Sequence, residues 1–135
     1  MNLELLSPSV ELGVVTTNLD AMVEFYEGFL GLELQGVVDF DGGSQRRYNL
    51  GSSVLKLVTY TTPPPQPVAP GGGRAQAGLR YFTIGVTNLR AVAERIEAAG
   101  YPITEPPTEF APVPGMGWLF FTDPDGNSIE LFGTL

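Results

Sequence analysis

Two stretches seventy residues apart repeat each other in register, and that repeat limits the folds open to this chain more than any single residue does. ELGVVTTNLDAMVEFYE (residues 11–27) aligns with YFTIGVTNLRAVAERIE (residues 81–97). Thr17, Asn18 and Leu19 lie over Thr87, Asn88 and Leu89, and Ala21, Glu24 and Glu27 over Ala91, Glu94 and Glu97. A looser echo pairs SVLKL (residues 53–57) with NSIEL (residues 127–131). Each half is therefore the same unit, a strand and a helix followed by further strands. Two such units predict an α+β chain whose halves can close on each other around a cavity.

Local patterns fill in the unit. Alternation over residues 11–16 puts Leu12, Val14 and Thr16 on one strand face and Glu11, Gly13 and Val15 on the other. Asn18 is placed to cap a helix with its side chain, Leu19, Met22, Val23 and Tyr26 follow at helical spacing, and Gly28 or Gly31 ends it. Strands are expected over 32–40, 46–50 and 54–60, separated by Asp-Gly-Gly and Gly-Ser-Ser turns. Residues 61–78, TTPPPQPVAPGGGRAQAG, form the linker between the halves, with no regular structure expected. The run Gly71-Gly72-Gly73 lacks the following Lys and Ser/Thr of a phosphate-binding loop, so it reads as linker or lid. The second unit begins with a strand over 81–86 and a helix over 89–99, capped by Asn88 and ended by Gly100. Five prolines between residues 102 and 114 predict an extended segment with little ladder pairing. Strands over 118–122 and 128–132 make a terminal hairpin around Asp-Pro-Asp-Gly-Asn, whose proline suits a turn better than a calcium loop. The chain is thus one domain, 1–135, with module one at about 9–60, the linker at 61–78 and module two at about 79–135.

Composition removes several function classes. With no cysteine there are no disulfides or thiolate metal sites, and with no histidine the commonest metal ligand and general base are absent. A net charge of −8 argues against a nucleic-acid partner, whose phosphates need basic side chains. No apolar run approaches the roughly 20 residues that span a bilayer, and the N-terminus has no signal-peptide pattern, so no membrane is expected and a cytoplasmic location is.

At this point the sequence resembles the vicinal oxygen chelate superfamily, which holds glyoxalase I, extradiol dioxygenases and bleomycin-resistance proteins. The matching phrases are NLDAMVEFYEGFLGLEL, GLRYFTIGVTNLRAVAERIEAAG and FFTDPDGNSIELF. The resemblance implies paired βαβββ modules forming a curled mixed sheet around a cavity, and a homodimer. It also implies a metal site with one ligand from each of four strands, two of them usually histidines. Those positions correspond here to Glu11, Lys56, Tyr81 and Glu130. Only Glu11 and Glu130 suit a divalent metal, since the Lys56 ammonium has no lone pair and a tyrosine of ordinary pKa is a poor donor. No metal or other cofactor is expected, and any cation would fall to the two glutamates. Lys56, the only lysine, sits in the otherwise apolar phrase VLKLV and is expected to bring its charge where the metal would be.

Three readings of these four residues stay open: a relic Lys–Glu pair, an anchor for a ligand, or catalysis. Trp118, Phe120 and Phe132 share strand parity with Glu130 or its hairpin partner and either line an apolar cavity or belong to the core. Of Arg46 and Arg47 at most one can face the cavity, and Arg46 is a candidate for contact with an anionic ligand. Tyr60 and Met116 are rim candidates. Two functions follow. The first is a binding protein for a small, apolar or aromatic organic molecule, using Lys56, Tyr81, Trp118, Phe120, Phe132 and Arg46. The second is a metal-independent isomerase, epimerase or lyase acting on a carbonyl compound. There Glu11 or Glu130 would move a proton while Lys56 and Tyr81 stabilise an oxyanion.

Overall fold

The computed structural model describes residues Met1–Leu135, which divide into two compact units, Met1–Gln66 and Pro67–Leu135. Unit 1 runs β1 (Glu11–Val15), α1 (Leu19–Val23), a π-helical turn (Glu24–Phe29), β2 (Glu33–Phe40), β3 (Gly43–Leu50) and β4 (Ser53–Tyr60). Unit 2 runs α2 (Gly72–Ala75), β5 (Tyr81–Val86), α3 (Leu89–Ala99), β6 (Ile103–Glu109), β7 (Met116–Thr122) and β8 (Ser128–Thr134). Each unit holds one four-stranded mixed sheet, in the orders β1-β4-β3-β2 and β5-β8-β7-β6. The first strand of each unit pairs parallel with its last, and the other pairings are antiparallel. The α+β class and the repeated unit of strand, helix and further strands are therefore as the repeat predicted, and each unit has the βαβββ order that the resemblance implied. No helix is long and apolar enough to cross a membrane.

One face of each sheet carries the unit's helix, and the alternation of apolar residues dictates which. In unit 1, Leu55 and Leu57 of β4 and Tyr48 of β3 bury against Met22, Phe25 and Tyr26. In unit 2, Leu119, Phe121, Ile129 and Leu131 bury under Leu89, Ala93 and Ile96 of α3. Each of these large side chains contributes about 1.5–3 kcal/mol through removal from water. The opposite face of each sheet is open.

Several local expectations need correction. Neither Asn18 nor Asn88 caps its helix through its side chain; their carbonyls accept from Met22 and Val92 instead. The first helix does not run regularly to Gly28. It widens into a π-helical turn in which the Leu30 N–H donates to the Phe25 carbonyl, and Gly31 follows at φ 70°. Proline-rich 102–114 does contain a ladder strand, β6, at the sheet edge with register shifts around Glu105 and Thr108. Pro106 and Pro107 donate no N–H, and an edge position tolerates that. The linker is not wholly irregular either, since α2 forms within it.

Candidate functional site

The open face of unit 1 holds a charged cluster beside the buried valines Val54 and Val58. Glu11 starts edge strand β1, and the register sets Gly13 opposite Lys56 and Arg47 opposite Lys56 from the other side. Gly13 has no side chain, and a Cβ there would lie 3.8 Å from Lys56 Cε. The lysine stem thus lies along the glycine and carries Nζ to 3.5 Å from Glu11 Oε1. Arg47 comes closer, with Nη1 at 2.8 Å from the same oxygen. Its fork also donates to Gln35 and Gln45, each at 2.7 Å. Hydrogen bonding from Arg47, opposed by partial desolvation and aided by Lys56, holds the Glu11 carboxyl below its ordinary value.

Two expectations change here. Lys56 is not the main charge partner of Glu11; Arg47 is. Of the adjacent arginines, Arg46 is on the helix-covered face, not the open one. Arg46 Nη2 pairs with Glu27 at 2.9 Å, and its Nε donates to the Tyr48 hydroxyl at 2.9 Å. Tyr48 in turn donates to Glu27 at 3.2 Å. Desolvation pushes the Tyr48 phenol up, so it keeps the proton it donates. This triad ties the π-helical turn to the sheet and leaves Arg46 no role on the open face.

A depressed Glu11 pKa has a defined sign in stability. Its contribution is full above the unfolded carboxylate value, roughly 4.3, and fades as pH falls through the lower folded value. Arg47→Met should therefore trail the parent protein by more at pH 7 than at pH 3. Glu11 is half-exposed, so the pH-dependent part will be small and weakened by salt. Denaturant midpoints at the two pH values read it, and a gap that is constant with pH would remove Arg47 as the cause of the depression.

Unit 2 presents a different open face. The registers align Thr83, Glu130, Phe120 and Glu105 across β5, β8, β7 and β6. Trp118 lies opposite Phe132 one row away. Phe120 receives Tyr81 edge-to-face at 5.0 Å and Trp118 at 5.9 Å, and Phe110 packs on Phe132 at 5.6 Å. Glu130 Oε1 accepts from the Thr83 hydroxyl at 2.7 Å. Around these residues lie two cavities. One of about 390 Å³ is bordered by Trp118, Phe120, Phe132 and Glu130. The other, about 330 Å³, reaches from Tyr81 and Phe120 to Ser128 and the glycines 71–73. Arg74 and Glu105 border both.

Glu11 and Lys56 thus meet within unit 1, while Tyr81 and Glu130 share the open face of unit 2. The sequence reading missed Arg47 as the partner of Glu11, together with Arg74, Glu105 and Phe110. Arg47 had a readable signal. A two-residue turn at Gly51-Ser52 sets Leu50 opposite Ser53, and counting back three places brings Arg47 opposite Lys56. Nothing in the sequence brought Glu105, beyond a proline-rich stretch, to Phe120.

The donors do not fit a divalent metal. Glu11 is engaged by two cations, Lys56 offers no lone pair, and nowhere do three or more Asp or Glu side chains gather closely enough to hold an ion.

Comparison with known proteins fits this architecture. The structure is similar to that of SMU.1112c, with a TM-score of 0.77 at 22% identity, covering 94% of this chain and 98% of that one. It is similar to a glyoxylase/bleomycin resistance protein/dioxygenase domain from Frankia sp. EAN1pec, with a TM-score of 0.71 at 20% identity over 96% and 91% of the two chains. It is also similar to lactoylglutathione lyase from Agrobacterium tumefaciens, with a TM-score of 0.65 at 21% identity over 92% and 91%. At such identities the likeness concerns the fold alone. No curated protein matches the chain in sequence. The family model of the Glyoxalase/Bleomycin resistance protein/Dioxygenase superfamily matches residues 9–131. With that match over nearly its whole length and the repeated βαβββ unit in its structure, the chain belongs to the Glyoxalase/Bleomycin resistance protein/Dioxygenase superfamily.

Proposed function

We propose that the protein is a cytoplasmic small-molecule-binding member of its superfamily, working without a metal and as a homodimer. The observation that carries this reading is the aromatic open face of unit 2, where Tyr81, Phe120, Trp118 and Phe132 border cavities large enough for an organic ligand. These rings lie opposite a face already buried under α3, so they are not needed for the core. Sequestration is preferred to the isomerase, epimerase or lyase alternative because both candidate bases are already engaged. Glu11 is paired with Arg47 and Lys56, and Glu130 accepts from the Thr83 hydroxyl.

The homodimer is supported by β2. It is a sheet edge with Val37 and Val38 about half-exposed, and it lacks the prolines that protect the β6 edge. Sedimentation at micromolar concentration should give a dimer, and a monomer would remove this part of the proposal.

Trp118 is the only tryptophan, so its emission reports the cavity directly. Titration with a panel of planar and aromatic small molecules should give saturable quenching at one site per chain. The same affinity should survive dialysis against a chelator. Saturation that returns only on adding a divalent metal, or no saturation with any member of the panel, would overturn the reading.

A further inference from the structure

The open face of unit 2 differs from that of unit 1 in how its charges are partnered. On unit 1 the carboxylate Glu11 faces two cations. On unit 2 the Phe120 ring lies in a row between two carboxylates, Glu130 on β8 and Glu105 on β6. Glu130 bonds to the Thr83 hydroxyl and forms no ion pair. Glu105 meets only Arg74, through one Nε–Oε1 contact of 3.3 Å, and the Arg74 side chain is 85% exposed. A single, long contact bathed in water holds little energy and is readily exchanged.

We propose that this face takes a small organic cation with an aromatic or apolar body, its charged nitrogen over the Phe120 and Trp118 rings between Glu130 and Glu105, and that Arg74 is a stand-in for that nitrogen which the ligand displaces. The proposal rests on the binding reading above and names the ligand class of that same site. Aromatic faces attract a cation through their quadrupole, and the attraction grows when water is excluded. Two carboxylates flanking the rings add Coulomb attraction for a cation and repel an anion. The chain's net charge of −8 favours the approach of the same class.

The geometry around Arg74 suits an exchangeable stand-in. The segment that carries it is stapled by Arg80, whose guanidinium donates to the carbonyls of Ala69, Pro70 and Gly72 and to Gln76. The backbone of Gly73 packs where an added Cβ would touch the Tyr81 ring at 3.6 Å. The strap therefore stays in place while the Arg74 side chain alone swings out. That motion joins the two cavities that Arg74 and Glu105 both border.

A matched series of phenylbutyl probes ending in trimethylammonium, hydroxyl or sulfonate tests the proposal, read by Trp118 emission and calorimetry on the full chain. The ammonium should bind about tenfold or more tighter than the alcohol, and the sulfonate weakest, with the advantage shrinking in high salt. Glu130→Gln keeps an acceptor for Thr83 and should weaken the ammonium far more than the alcohol, narrowing the gap between them. Glu105→Gln should weaken the ammonium in the same sense, so a folding defect in one variant does not decide the matter. Arg74→Gln should tighten the ammonium several-fold, and by more than it changes the alcohol. Equal binding of ammonium and alcohol would overturn the cation proposal and leave the binding reading standing. Tightest binding of the sulfonate would overturn it in favour of an anion held by Arg74. No saturable binding by any of the three would overturn it together with the binding reading.

Discussion

Replacing Gly133 with alanine is expected to lower stability by about 3 kcal/mol, at the upper end of what overpacking costs. Gly133 lies in β8 between Val86 of β5 and Gly117 of β7. A Cβ on Gly133 would fall on the Val86 carbonyl, which is backbone and has no rotamer to escape into. On the other side, Gly117 is confined less severely, by the Leu135 side chain and by the Thr108 carbonyl, 2.7 Å from a Cβ there. The close approach at Gly133 is thus to Val86 alone, and alanine must prise β5 from β8 at its end. Gly85→Ala in the same strand pair is the control. Its added Cβ would lie 3.9 Å from the Phe132 carbonyl, an ordinary contact, so it should cost within about 1 kcal/mol. Urea midpoints at unchanged slope would report both, and equal effects at the two glycines would show that β5 and β8 can part at no cost.

That close approach marks a boundary of what the sequence discloses. The 70-residue echo made the βαβββ unit legible, because each half must bury the same apolar stripe against the same sheet face. Period-two alternation told which residues share a face: Lys56 parts from Leu55 and Leu57, and Phe120 from Leu119 and Phe121. Partners across strands were harder, because they depend on turn length and bulges. Arg47 opposite Lys56 follows from a two-residue turn, so it was readable, yet the plain count of Arg46 and Arg47 left the choice open. Glu105 opposite Phe120 follows a register shift in a proline-rich edge strand, and no periodicity announces such a shift. The π-helical turn was equally hidden, since Glu24–Phe29 has ordinary helix-compatible composition and the widening depends on packing Phe25 and Tyr26. The asparagine caps failed for a different reason. Thr16 accepts from the Asn18 N–H at 2.9 Å and sets the chain entering the helix, and neither helix draws on its asparagine side chain as a cap. Gly133 is one of 17 glycines, and only the close approach of the Val86 backbone distinguishes it.

Asp123→Ala should be the other costly substitution, at about 3 kcal/mol, because one buried carboxylate organises the whole β7–β8 turn. Asp123 is only 3% exposed. Its Oδ1 accepts from the N–H groups of Asp125 at 3.0 Å and Asn127 at 2.9 Å, and its Oδ2 from Asn127 Nδ2 at 2.8 Å. Hydrogen bonds to a charged acceptor contribute about 1.5–3 kcal/mol, and the donors left behind must find water inside a tight turn. Both carboxylate oxygens already face N–H donors within the turn and no group of three acidic side chains gathers there, so added calcium should not change the melt. Asp123→Asn separates charge from shape. It keeps Oδ1 for the two backbone donors but turns an amide against Asn127 Nδ2, so it should lose about 1 kcal/mol. The turn also supplies Gly126 and Ser128 to the cavity of about 330 Å³. Asp123→Ala should therefore weaken binding of small aromatic probes even at temperatures where it remains folded. Thermal melts would show a drop on the order of 10 °C for the alanine variant and a few degrees for asparagine. If alanine and asparagine melt together, the carboxylate's second oxygen and its charge are not what hold the turn.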